Sequence, residues 1–270
     1  MTELPYDIDG AKLLISGAVA TILLDRPQAR NAMQYRVWSA LPDMMAKACA
    51  NPEVGVIVIR GAGGTFGAGN DISELGQICG DADACRSYGL AMAGSMRAIE
   101  MAAKPVIAAI EGNCYGASVA LAIAADLRIA SDTARFAITP AKLGAVYLQS
   151  DHHRLVSLIG PARARQMIFT ARSIDAAQAE AWGLISQVAA PDRFEEDLAA
   201  LVDGLLSGSA YTLMQSKRMI RSCADCEAPE ETEETVGWFV DAMLGQDFAE
   251  GLDAFLSKRK PRFASGYGGA

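Results

Sequence analysis

Two stretches carry the residues whose types and spacing could do chemistry. The first is "GNCYGASVALAIAAD" (112–126), which follows "KPVIAAIE" (104–111) and reads as a buried strand, a turn of small residues and a helix start. Such a turn lets backbone N–H groups approach a ligand closely, and a helix N-terminus favours negative charge there. The helix itself is apolar from 119 to 123, so it offers no proton-transferring group. The second stretch is "FAITPAKLGAVYLQSDHHRL" (136–155), where Tyr147, Gln149, Ser150 and Asp151 are polar groups in apolar surroundings. Asp151 reads either as an acid/base or as a helix N-cap, and Tyr147 either as an acid/base or as a core tyrosine with a satisfied hydroxyl. Glu111 and Glu74 stand behind them as further carboxylates.

Other motifs fall short of a known chemistry. "RGAGGTFGAGND" (60–71) has Phe66 where a dinucleotide fingerprint needs glycine, and no G-K-[ST] follows. What remains is a loop whose N–H groups at Ala68 and Gly69 point into a cleft, or a plain turn. "GASVA" (116–120) is one residue short of a serine nucleophile elbow, and the only histidines, His152 and His153, are adjacent to each other. "CADC" (223–226) lacks the second ligand pair a zinc site needs, so no metal site is expected.

The elements that must position these groups follow from pattern. The 270 residues are 51% hydrophobic, enough for one large core. "KLLISGAVATILLD" (12–25) reads as a hairpin, and 31–50 as a helix with Asn31 as its N-cap. Strands at 54–61, 105–110, 126–131 and 135–138 alternate with helices beginning near Asp71 and over 82–102. Continuously apolar strands in such alternation predict a mostly parallel sheet covered on both faces. Helices are expected over 175–183, 192–207, 210–224, 229–244 and 247–258. Net charge is −8, which disfavours nucleic acid and anionic membranes as partners. No apolar run is long enough to span a bilayer, and the six irregularly spaced cysteines read as reduced thiols in a cytoplasmic protein.

The segments "LDRPQARNAM", "GTFGAGNDISEL", "KPVIAAIEGNCYGA", "AADLRIASDTARFAITPAKLG", "ARSIDAAQAEAWGLISQVA" and "EGLDAFLSKRKPRF", in that order, resemble the crotonase, or enoyl-CoA hydratase/isomerase, superfamily. The resemblance implies an α/β fold, a spiral of βαβ units over 1–200, with a helical oligomerisation region at 201–262 and a flexible tail at 263–270. It implies an acyl-CoA thioester as substrate, coenzyme A entering only as part of it, no prosthetic group, and a homotrimer or dimer of trimers. The family holds a thioester enolate with two backbone donors, which map by position onto Ala68 and Ala117. The coenzyme A contacts carried over are Ala29, Arg30, Ala68, Asp71 and Ile72, the turn residues Tyr115 and Gly116, and late in the chain Phe255 and Lys258.

The chain departs from that family where acid/base chemistry is usually done. The two glutamate positions of hydratases hold Ala120 and Pro140, and a third acidic position holds Leu148. These side chains transfer no proton. The run "TPAKLGAVY" resembles the methylmalonyl-CoA decarboxylase branch, including a tyrosine matching Tyr147. The expectation is therefore an enoyl-CoA hydratase/isomerase-type enzyme with Tyr147 and Asp151 as its acid/base candidates. A malonyl-type acyl-CoA decarboxylase or a non-catalytic acyl-CoA binder is the alternative.

Overall fold

The computed structural model describes residues 3–224 and 232–263. A 7-stranded sheet runs in the order β1-β2-β3-β4-β5-β7-β10. Its strands are β1 (Glu3–Ile8), β2 (Gly10–Ser16), β3 (Val19–Asp25), β4 (Val56–Gly61), β5 (Val106–Ile110), β7 (Leu127–Ser131) and β10 (Gln187–Ala189). β1, β2 and β3 pair antiparallel, and from β3 onward every pairing is parallel. The expected hairpin turns at Gly17, with Ser16 opposite Val19. β1 is a strand beyond those expected; its "ELPYDI" carries a proline, which an edge strand tolerates.

A smaller 3-stranded sheet joins β6 (Asn113–Tyr115), β8 (Arg135–Ala137) and β9 (Ile174–Asp175). Between β6 and β7 sits α4 (Ala117–Ala124), every residue of which is buried. On one side of the large sheet, α1 (Tyr35–Ala50), α3 (Ala82–Glu100) and α4 close the main core around Trp38, Met44 and Phe66. On the other side, α7 (Phe194–Leu206) packs Phe194, Leu198 and Val202 against β4, β5 and β7. This α/β architecture with C-terminal helices agrees with the expected class. The boundary expected at residue 200 falls inside α7, since Val202 still belongs to the sheet's core.

Two local expectations are corrected. The first helix starts at Tyr35 with Gln34 at its N-cap, not at Asn31. Asn31 is instead buried in the left-handed region at φ 53°, a conformation asparagine tolerates. Asp151 does not cap α5 (Gln149–Thr170): the N-cap is Leu148, and Asp151 lies in the first turn. The remaining helices are α2 (Ile72–Ile78), α6 (Ala176–Trp182), α8 (Ala210–Ala224), α9 (Glu233–Leu244) and α10 (Gln246–Leu256). Cys226 of the C-x-x-C pair, the helix start expected at 229 and all of the expected tail except Phe263 lie outside the described residues. Among the described residues no helix is long and apolar enough to cross a membrane, and no cluster of side chains could hold a metal.

Candidate active site

The loop between β4 and α2 is fixed by its own backbone. Phe66 N–H donates to Glu111 O and Gly67 N–H to Asn113 O, both at 2.8 Å, and Tyr115 N–H returns a bond to Gly67 O at 2.9 Å. The Asn31 side chain holds the preceding turn through Ala62 O at 2.9 Å, Thr65 O at 2.7 Å and Arg26 N–H at 2.9 Å. Ala68 N–H donates to Arg30 O at 2.9 Å, so the amide expected to face the ligand is already engaged. Gly69 N–H donates to Ser118 Oγ at 2.9 Å, and Asp71 N–H to Met33 O at 2.9 Å. Between them Asn70 N–H has no acceptor among the described residues. It replaces Ala68 as the open donor of this loop. The sequence gives no sign of this shift of two residues, because only the pattern of neighbouring bonds reveals it.

The second open donor is where it was expected. Ala117 N–H is the first amide of α4, and no acceptor meets it among the described residues. Gly116 precedes it at φ 53°, which a residue with a side chain rarely adopts. Its N–H donates to Ala137 O at 2.8 Å, and the Tyr147 hydroxyl donates to Gly116 O. The two donor loops touch. At Gly69, with φ 94°, a Cβ would lie 2.9 Å from both Ala117 N and Tyr115 O.

Both donors border one cavity of about 350 Å³. Its apolar wall includes Leu75, Ile78, Tyr88, Met92, Leu143 and Val146. Ala68, Ile72, Gly116, Tyr147 and Asp151 also line it, so the structure brings these expected residues together. Pro140 and Leu148 are in the wall as well, while Ala120 is fully buried and does not reach it. The Asn70 side chain is anchored by Trp38 Nε1–H, which donates to Oδ1 at 3.0 Å.

Asp151 is the one carboxylate of this wall among the described residues. It is wholly buried; Oδ1 accepts from Arg154 Nη1 at 3.0 Å, while Oδ2 has no partner. Burial pushes its carboxyl above the ordinary range, and the Arg154 guanidinium pulls the other way. Tyr147 is less suited to move a proton. Its hydroxyl hydrogen is given to Gly116 O, and burial, with the charge of Asp151, pushes its pKa well up. Ser118 is fully buried and serves Gly69, not a triad. Glu111 pairs with Arg60 at 3.0 Å and Glu74 accepts from Tyr35 N–H at 2.7 Å, both outside the cavity wall.

The expected coenzyme contacts divide into groups. Ala29 and Arg30 sit on the turn whose carbonyl holds the Ala68 amide, and Arg30 is exposed with no ion pair among the described residues. The Asp71 carboxylate is internal: burial would raise its pKa, but Arg26 at 3.0 Å and the N–H groups of Ser73 and Glu74 hold it low. It staples the loop to Arg26 and caps α2. Tyr115 has its hydroxyl 3.5 Å from Ser173 Oγ. Phe255, 81% exposed, and Lys258 lie at the end of α10 and do not line this cavity.

Fold and site together define an α/β protein in which Asn70 and Ala117, each with an open backbone amide among the described residues, border one largely apolar pocket. The chain belongs to the enoyl-CoA hydratase/isomerase family: the model described as "Enoyl-CoA hydratase/isomerase" matches residues 15–266. A probable enoyl-CoA hydratase of Rhizobium meliloti (strain 1021) is 33% identical over 247 residues, covering 92% of this chain and 95% of the relative. A peroxisomal Delta(3,5)-Delta(2,4)-dienoyl-CoA isomerase of Arabidopsis thaliana is 28% identical, covering 92% and 93%. Among solved structures, a putative enoyl-CoA hydratase/isomerase family protein from Hyphomonas neptunium superposes with a TM-score of 0.90 at 39% identity, covering 95% of this chain and 98% of that one.

Proposed function

We propose that the chain is an enoyl-CoA isomerase, moving a carbon–carbon double bond through a thioester enolate with Asp151 as its single acid/base. The thioester oxygen accepts from Asn70 N–H and Ala117 N–H. As the α-proton leaves, the developing oxyanion is held by these preorganised donors and by the start of α4. Asp151 takes the proton from C2 of a 3-enoyl thioester and returns it to C4, giving the 2-enoyl product. Atoms balance, no water is consumed, and one base suffices for both transfers.

The observation that carries this reading is a lone carboxylate in the cavity wall, with one oxygen unpartnered and its affinity for a proton raised by burial. Hydration in this family uses two carboxylates, and the positions that would supply them hold Ala120 and Pro140. A malonyl-type decarboxylase is less favoured. No cation lines the cavity among the described residues, and Asp151 would repel a substrate carboxylate. Arg30 reads as a contact for coenzyme A phosphates at the mouth. Phe255 and Lys258 read as contacts to the coenzyme of a neighbouring subunit in a trimer. Conversion of 3-hexenoyl-CoA to 2-hexenoyl-CoA tests the proposal. It is supported by turnover that exceeds hydration of 2-hexenoyl-CoA; faster hydration, carbon dioxide release from malonyl-CoA, or tight binding without any turnover each defeats it.

A further inference from the structure

Beside the catalytic cavity, which shares Leu148 with one of them, two hollows share a wall. One, of about 410 Å³, is apolar and lined by Ile123, Leu127, Leu158, Leu213 and Ile220. The other, of about 860 Å³, is polar and lined by Arg97, Gln149 and Ser150. Glu100, His153, Arg154 and Arg221 line both, so an apolar floor leads directly to a cationic end.

Arg154 is 8% exposed. Its Nη1 donates to Asp151 and its Nη2 to Glu100 at 2.9 Å, yet its Nε–H is buried with no partner. A buried donor without an acceptor costs about 1–3 kcal/mol, so the position calls for an oxygen. Arg97 and Arg221 make no ion pair among the described residues. The acids of the two walls are already held, Glu100 by Arg154 and Asp126 by Lys217 at 2.7 Å. Leu148, the N-cap of α5, supplies no side-chain oxygen to the first amides of the helix, which adds positive potential to the same end.

We infer that these joined hollows bind an amphipathic monocarboxylate, its chain against Ile123, Leu158 and Leu213 and its carboxylate at the end lined by Arg97, Arg154 and Arg221. An inorganic anion would leave the apolar hollow unfilled, and a neutral alkyl chain would leave Arg97 and Arg221 without a counter-charge. Only a ligand with both ends satisfies both walls. Occupancy adds a further carboxylate to Arg154 and loosens its hold on Asp151. That coupling rests on the reaction proposed above; the binding does not.

The test is calorimetric titration of the full chain with octanoate in the presence of saturating butyryl-CoA, which fills the catalytic cavity. Octanoate is expected to bind, with octanol and inorganic phosphate at least about tenfold weaker. The doubly reversed variant Arg97→Glu, Arg221→Glu is expected to weaken octanoate by at least about tenfold. If that variant does not fold, Leu213→Trp fills the apolar hollow and is expected to do the same. Equal binding of phosphate or octanol overturns the inference. So does displacement of octanoate by butyryl-CoA, indifference to these variants, or absence of binding. Because the titration reads binding alone, an enzyme silent on 3-hexenoyl-CoA still gives an answer.

Discussion

Ser118 Oγ accepts the Gly69 N–H at 2.9 Å and thereby ties the loop that bears one open amide to the helix that bears the other. Asn70 follows Gly69 and Ala117 precedes Ser118, so this hydrogen bond, together with the backbone bonds between Gly67 and both Asn113 and Tyr115, holds the two donor segments side by side. Ser118→Ala leaves a buried N–H unsatisfied, at a cost of about 1–3 kcal/mol in stability. It also lets the donors drift, and a misplacement near 1 Å lowers turnover about 10²-fold. Chemical denaturation and kcat on one preparation check both effects; unchanged kcat would dissociate Ser118 from the site.

Asp151→Asn should lower kcat by about 10²- to 10⁴-fold while leaving acyl-CoA binding intact. The base must be ionised to act, and burial raises its pKa. Activity is therefore expected to fall as pH drops through a value above the ordinary aspartate range. That acid limb of the kcat/KM profile should vanish from whatever residual activity Asp151→Asn retains.

Arg154→Met removes the guanidinium that favours the ionised carboxylate. The acid limb should move to higher pH, since the largest influence opposing burial at Asp151 is then gone. Two carboxylates, Asp151 and Glu100, lose their partner, and breaking such a buried pair costs about 3–5 kcal/mol. A pH profile that stays in place would remove Arg154 from the account.

Tyr147→Phe deletes the hydroxyl that donates to Gly116 O. Stability should drop by about 0.5–1.5 kcal/mol, the net worth of one hydrogen bond. Turnover should fall modestly with the pH profile retained, because the phenol positions the turn and does not carry the proton. A lost or shifted limb would reverse that assignment.

Asn31→Ala should be costly for a residue outside the cavity wall. The half-buried carbonyls of Ala62 and Thr65 and the amide of Arg26 lose their partner together. The left-handed backbone adds strain once asparagine is gone. A fall of about 2 kcal/mol or more, with KM for acyl-CoA raised as the neighbouring Arg30 turn loosens, is read by denaturation and initial rates.

The layered fold was legible because its cues are local. Apolar runs such as "VIAAI" and "VIVIRG" can be read residue by residue as buried parallel strands. Ala117 came from the family resemblance, which maps a donor onto it; in the structure it stands first on α4 after a turn of small residues. Asn70 was not legible. Whether an amide is open depends on what its neighbours bond to, and those partners, Arg30, Met33 and Ser118, come from distant segments. Asn31 misled because asparagine suits both an N-cap and a left-handed turn, and tertiary bonds decided between them. Asp151 stands out by its type, but that its partner Arg154 is shared with Glu100 on another helix is visible only in three dimensions.

α4 has no charged residue and no exposed face. Mobile ions cannot gather around such a rod, so the field at its tip is not attenuated by added electrolyte as that of a surface helix is. Raising ionic strength should then divide the kinetic constants: capture of the polyanionic coenzyme through exposed Arg30 weakens, whereas the rate from the filled pocket holds steady.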